Sequence, residues 1–290
     1  MTETASWDGC CGPKSRPFDP GPYTTRNFNS LSPETAAKYC NAVSGSDRRV
    51  PAIALSANPM RNRSPGNILI QGLEAADREA LLAIATPTEF AQGHVFTEPD
   101  DPIEHLHFID SGFCSSVAVL EDGRTVETLM VGREGVLGVV ASLTPQRAHT
   151  RSVAQVAGSA QRVDAARFRV LAGQRPAVRD VVADYMARLQ GELEQSSACN
   201  ALHHAGQRFA KWLLRCHDRV DGDTLSLTQE YLASMLGSQR TTVNEAAQGL
   251  QKAGAIAYSR GRITVLDRAA LERAACECHR SGDAFRAHEG

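Results

Sequence analysis

The sequence predicts an α+β fold: an N-terminal jelly-roll-like β-roll, one long helix after it, and a C-terminal pair of short helices with a β-wing. Three observations predict it. Between residues 93 and 165 a series of short alternating or β-rich segments is closed by Gly, Asp or Asn-type residues, the pattern of strands between tight turns. From Pro176 onward apolar residues recur at steps of three and four. The stretch "LTQEYLASMLGSQRTTVNEAAQGLQKAG", residues 227–254, sets two amphipathic segments either side of a Gly-Ser break.

The chain of 290 residues is 42% hydrophobic, material for roughly two domains of about 100–200 residues each. Its net charge of -2 excludes a uniformly basic coat and leaves any attraction for nucleic acid to a local patch. Eight cysteines, at positions 10, 11, 40, 114, 199, 216, 276 and 278, have no disulfide-framework spacing, and no secretory apolar segment precedes them. With no apolar run near the roughly 18–20 residues of a membrane span, a soluble cytoplasmic protein without a membrane partner is expected.

Residues 1–65 are rich in Pro, Ser, Asn, Gly and Thr and read as a largely disordered extension with one short helix around "SPETAAKYCNAV". A sensory β-domain is expected over 66–175. "ILIQGLEAADREALLAIA" opens it with helical spacing that turns Leu81, Leu82 and Ile84 inward. The segments "GHVFTE", "HLHFIDSG", "CSSVAVLEDG", "VETLMVGREG" and "SVAQVAGSAQRVDA" follow as strands, and "EDGR" at Glu121–Arg124 signals a hairpin because Asp-Gly suits the primed turns. Over 176–204 a long helix starts at Pro176, where the missing N–H costs nothing. Its stripe of Val178, Val181, Val182, Tyr185, Met186, Leu189 and Leu193 either covers the barrel or faces its own copy across a dimer axis. The dimer is preferred, since a barrel this small leaves much of so long a helix uncovered.

Residues 205–280 form the C-terminal domain, and 281–290 a flexible tail. Thr228 caps a helix whose apolar face is Leu232, Met235 and Leu236; Gly237 stops it and Ser238 caps the next. On that second helix Val243, Ala246, Ala247 and Leu250 fall on one side, while Arg240, Thr241, Asn244, Glu245 and Gln248 share the opposite arc. An ordinary helical hairpin with a solvated face would show the same pattern. What sets this one apart is "AIAYSRGRITVLD", two short strands around a turn whose Arg260 and Arg262 reach phosphates or a minor groove. Residues 206–280 also hold eleven Lys or Arg against eight Asp or Glu, a positive region in a negative chain. An outward face of Arg, Thr, Asn and Gln has the chemistry of a major-groove reader, Arg forking onto guanine and Asn or Gln onto adenine.

On these residues "LTQEYLASMLGSQRTTVNEAAQGLQKAGAIAYSRGRITVLD" resembles the winged helix-turn-helix of the Crp/Fnr transcription regulators. Members of that family join a cyclic-nucleotide-binding-like β-roll, a long dimer helix and this DNA-binding domain, and the resemblance covers about residues 66–280 in matching order. It implies that Arg240 reads guanine and that Thr242 lies near phosphate. Thr241 stands where the family often has Glu, and Glu245 where it has a later basic reading residue, so the operator is expected to differ from the catabolite-activator consensus. The candidate DNA-binding set is Thr228, Gln239, Arg240, Thr241, Thr242, Asn244, Glu245, Gln248, Arg260 and Arg262.

The resemblance extends to the β-roll through its Ser-Gly and Asp-Gly-Arg turns and its Gly-Arg-Glu-Gly lead-in to Gly138. Nucleotide-binding members have a Glu just after that glycine for the ribose hydroxyl and an Arg-Ser pair for the cyclic phosphate. Here Val139 and Val140 stand in place of the Glu, and a buried hydroxyl without its acceptor costs about 1–3 kcal/mol. Arg151 and Ser152 supply a phosphate clamp only with an insertion relative to the family pattern. Cyclic AMP is therefore not expected, and Gly138, Val139, Arg151 and Ser152 remain as candidate ligand residues of a roll that is a scaffold or suits another ligand.

No cofactor or metal is expected. Cys10, Cys11 and Cys40 do not form the clustered array of iron–sulfur members. Cys276-Glu277-Cys278-His279 has soft ligands but no second pair at zinc-finger distance, so it reads as structural. His105 and His107 share a strand face without a neighbouring carboxylate, and a His-held haem stays open. The expectation is a homodimeric regulator on double-stranded DNA, an inverted repeat, with RNA polymerase as a further candidate partner. A ligand-responsive adaptor using the winged domain against proteins is the alternative. An enzyme is excluded for want of a nucleophile–base pair, phosphate loop or acid pair.

Overall fold

In this computed structural model residues 66–226, 229–259 and 261–280 are described. The expected N-terminal extension with its short helix, the C-terminal tail, Thr228 and Arg260 lie outside them.

The opening helical stretch is two helices, α1 (Ile68–Gln71) and α2 (Ala75–Leu82), parted at Gly72. Asn67 caps the first: its Oδ1 accepts from the N–H groups of Leu69 and Ile70, while its Nδ2 donates to the carbonyls of Ile109 and Gly135. That satisfies a fully buried amide. Leu81 points inward as expected, but Leu82 is 41% exposed and Ile84 only partly covered, because a helix of eight residues lays one narrow stripe on the roll.

The roll is an antiparallel sheet of β1 (Ala85–Phe90), β2 (Val95–Thr97), β3 (His105–Val119), β4 (Thr125–Val131), β5 (Val136–Leu137) and β6 (Arg151–Asp164). Its order is β1-β6-β3-β4, with β2 on β6 and β5 on β3. "HLHFIDSG" and "CSSVAV", expected as separate strands, are the single strand β3, bent by register shifts between Ile109 and Cys114. The Ser111-Gly112 punctuation marks bulges rather than a turn. There Gly158 lies so close to the opposite strand that a Cβ would sit 2.0 Å from the Ser111 carbonyl oxygen. The Glu121–Arg124 turn closes the β3–β4 hairpin through the Leu120 N–H to the Arg124 carbonyl.

After β6 the chain forms α3 (Ala165–Gln174), capped by Asp164, which the sequence reading did not separate, and then α4 (Pro176–Leu202) with proline in its first turn. The roll takes the N-terminal part of the α4 stripe: Val178, Val182 and Tyr185 are buried with Leu106, Phe108 and Phe168. Further along, Leu193 is 39% and Leu202 76% exposed.

The C-terminal part comprises α5 (Ala205–His217), β7 (Thr224–Ser226), α6 (Gln229–Leu236), α7 (Arg240–Lys252), β8 (Ile256–Ser259), β9 (Arg262–Val265) and α8 (Arg268–Ala274). The two-stranded wing gains β7 as a third strand, in the order β7-β9-β8. Phe209, Leu213, Leu232, Val243, Ile263 and Leu271 fill its core, and that core continues without a break into Phe113, Val117 and Met130 of the roll. Polar ties follow the same boundary. Trp212 donates from Nε1 to Glu127 at 2.8 Å, Thr125 and Ser234 share a hydroxyl hydrogen bond, and Arg219 pairs with Glu134 at 2.6 Å. Burial lifts the Glu134 carboxyl, but the Arg219 guanidinium and backbone donors bring it net below its ordinary value, keeping the pair ionised.

Candidate nucleic-acid interface and ligand cavity

Leu232, Met235 and Leu236 bury α6 against α5 and α7 as the spacing implies. The helix ends in a Schellman motif: Gly237 takes a left-handed φ of 58°, its N–H bonds the Ser234 carbonyl, and the Ser238 N–H bonds the Ala233 carbonyl. This three-residue connection, Gly237 to Gln239, sets the angle between the helices. Ser238 does not cap α7. Its hydroxyl turns back to the Leu236 carbonyl, and Gln239 occupies the N-cap position without a side-chain hydrogen bond. The Schellman turn consumes Ser238, so the cap shifts by one residue.

On α7 Val243, Ala247 and Leu250 are buried and Ala246 half-buried. Arg240, Thr241, Glu245 and Gln248 are exposed on the other side, with Thr242 and Asn244 half-buried at its edges. Gln239 is exposed just before the helix, and Arg262 is exposed at the start of β9. The described candidates therefore lie on the outward side of α7, at its N-terminus and on the wing. Arg208 of α5 donates to the Leu236 carbonyl, so a cation also closes the C-terminal end of α6.

The second candidate region is a cavity of about 230 Å³ between β3, β4, β5, the 3-10 turn Val139–Ser142 and α4. Gly138, Val139 and Ser152 line it, together with His105, His107, His149, Leu189 and Leu193. Val140 also lines it yet is 40% exposed. Arg151 is not in the lining, because Glu98 takes its Nε at 2.8 Å and draws the guanidinium aside. Among the described residues lining the cavity, none carries a carboxylate, an ammonium or a guanidinium. The ring of His107 stands edge-on to Phe96 at 4.9 Å and beside His105 at 6.2 Å. Burial, then the charges of His105, Arg162 and His94, lower the His107 pKa to about 4, so its ring is neutral near pH 7. Sequence spacing gave the two histidines one face; their place in this cavity depends on the closure of the roll. A larger cleft, about 730 Å³, lies between the roll and the loop after α5, and its Arg219 and Glu134 are committed to each other.

Two family models match this chain: the Crp-like helix-turn-helix domain over residues 207–274 and the cyclic nucleotide-binding domain over residues 87–175. Over 214 residues the chain is 25% identical to the CRP-like cAMP-activated global transcriptional regulator of Mycobacterium tuberculosis, covering 71% of this chain and 96% of that one. It is 26% identical over 196 residues to the global nitrogen regulator of Synechococcus elongatus, covering 64% and 87%. In fold it is similar to FixK2 from Bradyrhizobium japonicum, with a TM-score of 0.57 at 20% identity over 67% of this chain and 98% of that one. Among the described residues no helix is long and apolar enough to cross a membrane.

Proposed function

Since the chain belongs to the Crp/Fnr family of transcription regulators and carries that family's DNA-binding helix-turn-helix, we propose that it works as a homodimer on an inverted repeat and that α7 reads the major groove. The observation that carries this reading is the outward face of α7, headed by exposed Arg240 and backed by buried Val243, Ala247 and Leu250. Arg240 forks onto guanine, Asn244 and Gln248 meet adenine or a neighbouring base, Thr241 and Thr242 approach phosphates, and Arg262 of the wing holds the backbone alongside. Glu245 on the same arc accepts from a cytosine amine, which supports an operator of its own. Arg260 and Thr228 belong to the proposed set through their sequence positions.

The part of α4 that the roll leaves uncovered, from Leu193 to Leu202, supports a dimer seam. Two copies joined there bring their α7 helices to successive major grooves about 34 Å apart. Residues 66–175 are the proposed sensor, 176–204 the dimer helix and 205–280 the reader. RNA polymerase is the proposed partner of the bound dimer. The cavity sits against Leu189 and Leu193 of α4, so a ligand there acts on the seam and shifts the population of dimers with correctly spaced readers. Its lining of imidazoles, hydroxyls and aliphatic side chains, without a carboxylate or guanidinium, supports a ligand other than a cyclic nucleotide, whose phosphate and ribose call for charged partners.

Selection of bound sequences from a randomised duplex library tests the reading, with wild type and Arg240→Ala in parallel. Wild type enriches an inverted repeat, and the variant loses discrimination at one guanine per half-site, worth about 1–3 kcal/mol. Full specificity in the variant overturns the role of Arg240; enrichment of a single half-site overturns the dimer.

A further inference from the structure

At the far end of α4 the chain's last described segment returns to it. Cys199 and His203 stand one helical turn apart, so their side chains share a face, and Cys276 and Cys278 come back to that face just after α8. One ligand atom from each of the four lies within 4.8 Å of all the others. The Sγ atoms of Cys199 and Cys276 are 3.6 Å apart, and Cys278 Sγ is 3.5 Å from His203 Nδ1. A tetrahedral ion with thiolates at about 2.3 Å and an imidazole at about 2.0–2.1 Å sets sulfur–sulfur edges of about 3.8 Å and sulfur–nitrogen edges of about 3.6 Å. Both separations fit a single ion; a cluster would spread its cysteines over several irons.

The surroundings are those of a ligand shell. The three cysteines are buried, at 1%, 1% and 6% exposure. Gln195 Nε2 donates to Cys278 Sγ at 3.0 Å and Lys211 Nζ to Cys199 Sγ at 3.4 Å, donors that a thiolate uses better than a thiol. The Lys211 ammonium also offsets the single negative charge left when three thiolates meet one divalent ion. On the far side of the imidazole, His203 Nε2 faces Glu277 at 3.3 Å, an arrangement that fixes the ring with Nδ1 toward the sulfurs. His279 is not part of the set, since its Nδ1 lies 2.9 Å from the Cys276 carbonyl oxygen. The second pair that Cys276 and Cys278 lack in the sequence is thus supplied by the fold.

We propose that Cys199, His203, Cys276 and Cys278 form a closed Cys3His site for one soft divalent ion, zinc first among them, stapling the end of the long helix to the segment that follows α8. The ion fixes the reader's last helix to α4, the helix whose movement the proposed regulation requires. Its test reads metal and not DNA, so it stands or fails apart from the operator experiment.

The full chain, purified untagged and with its thiols reduced, is analysed for metal and titrated with cobalt(II). The expected result is one zinc per chain, replaced by one cobalt with sulfur-to-metal charge-transfer absorption and the intense visible bands of a tetrahedral centre. Cys276→Ser and Cys278→Ser lose those bands, while Cys10→Ser, Cys11→Ser and Cys40→Ser together leave stoichiometry and spectrum unchanged. Glu277→Gln keeps the spectrum but binds about 10–100-fold more weakly. Reduced wild type that develops no thiolate–cobalt bands overturns the proposal, whatever the folding of the serine variants. So does a Cys199–Cys276 disulfide found in place of metal, or metal that follows the N-terminal cysteines.

Discussion

The surroundings of His107 change its protonation within the ordinary pH range. Its folded pKa of about 4 lies below the ordinary 6.5, with His105, Arg162 and His94 as the facing charges. The unfolded chain therefore takes up the proton first. The stability this neutral ring contributes is full above about pH 6.5 and is lost as pH falls toward 4, with a slope of up to about 1.4 kcal/mol per pH unit. Urea titrations of wild type and His107→Gln across that interval are expected to converge as pH falls, because glutamine has no proton to gain. Curves that stay parallel would show that the ring is already charged in the folded state. Arg240, Thr241 and Gln248 were legible as an exposed arc from helical spacing alone. The displacement of Arg151 was not, because it depends on Glu98, which faces it only once β6 is laid against its neighbours.

At the level of the element, the α6–α7 pair was readable because its signals are local: apolar spacing and one glycine where the chain must turn left-handed. Gly237→Ala places a side chain at φ 58° and a Cβ 3.1 Å from Val126 Cγ2. The expected cost is about 1–2 kcal/mol in denaturant unfolding, and the reader then sits less firmly on the β3–β4 hairpin. An unchanged unfolding midpoint would mean that the turn relaxes elsewhere. Long β3 was not readable as one strand, since Ser-Gly, which usually punctuates, here makes bulges that let the strand bend through the roll. The cap on α7 was misplaced by one residue for a related reason: a Schellman turn consumes the serine that a simpler end would have left free. The Cys276–Cys278 pair lacked partners in the sequence because Cys199 near the end of α4 and His203 just past it, more than seventy residues earlier, supply them.

Across the whole molecule the α+β order of roll, long helix and reader followed from composition and period. The seam between roll and reader did not. Phe113, Val117 and Met130 belong to strands whose alternation says only that they point inward, and inward turns out to include the reader's own core around Trp212 and Leu213. That shared core has a thermal consequence. Any rearrangement that parts roll from reader exposes apolar surface, and such exposure carries a positive heat capacity and costs less free energy as temperature falls. Cooling thus acts in the same direction as a signal that frees the reader. Isothermal titration calorimetry with operator duplex at several temperatures is expected to give a binding enthalpy that falls less steeply with temperature than in a variant whose reader is already parted from the roll, because the exposed core adds a positive heat capacity; equal slopes would show that binding does not require that parting. A regulator built with one continuous core is in this sense also a thermometer, biased by the same side chains that hold it together.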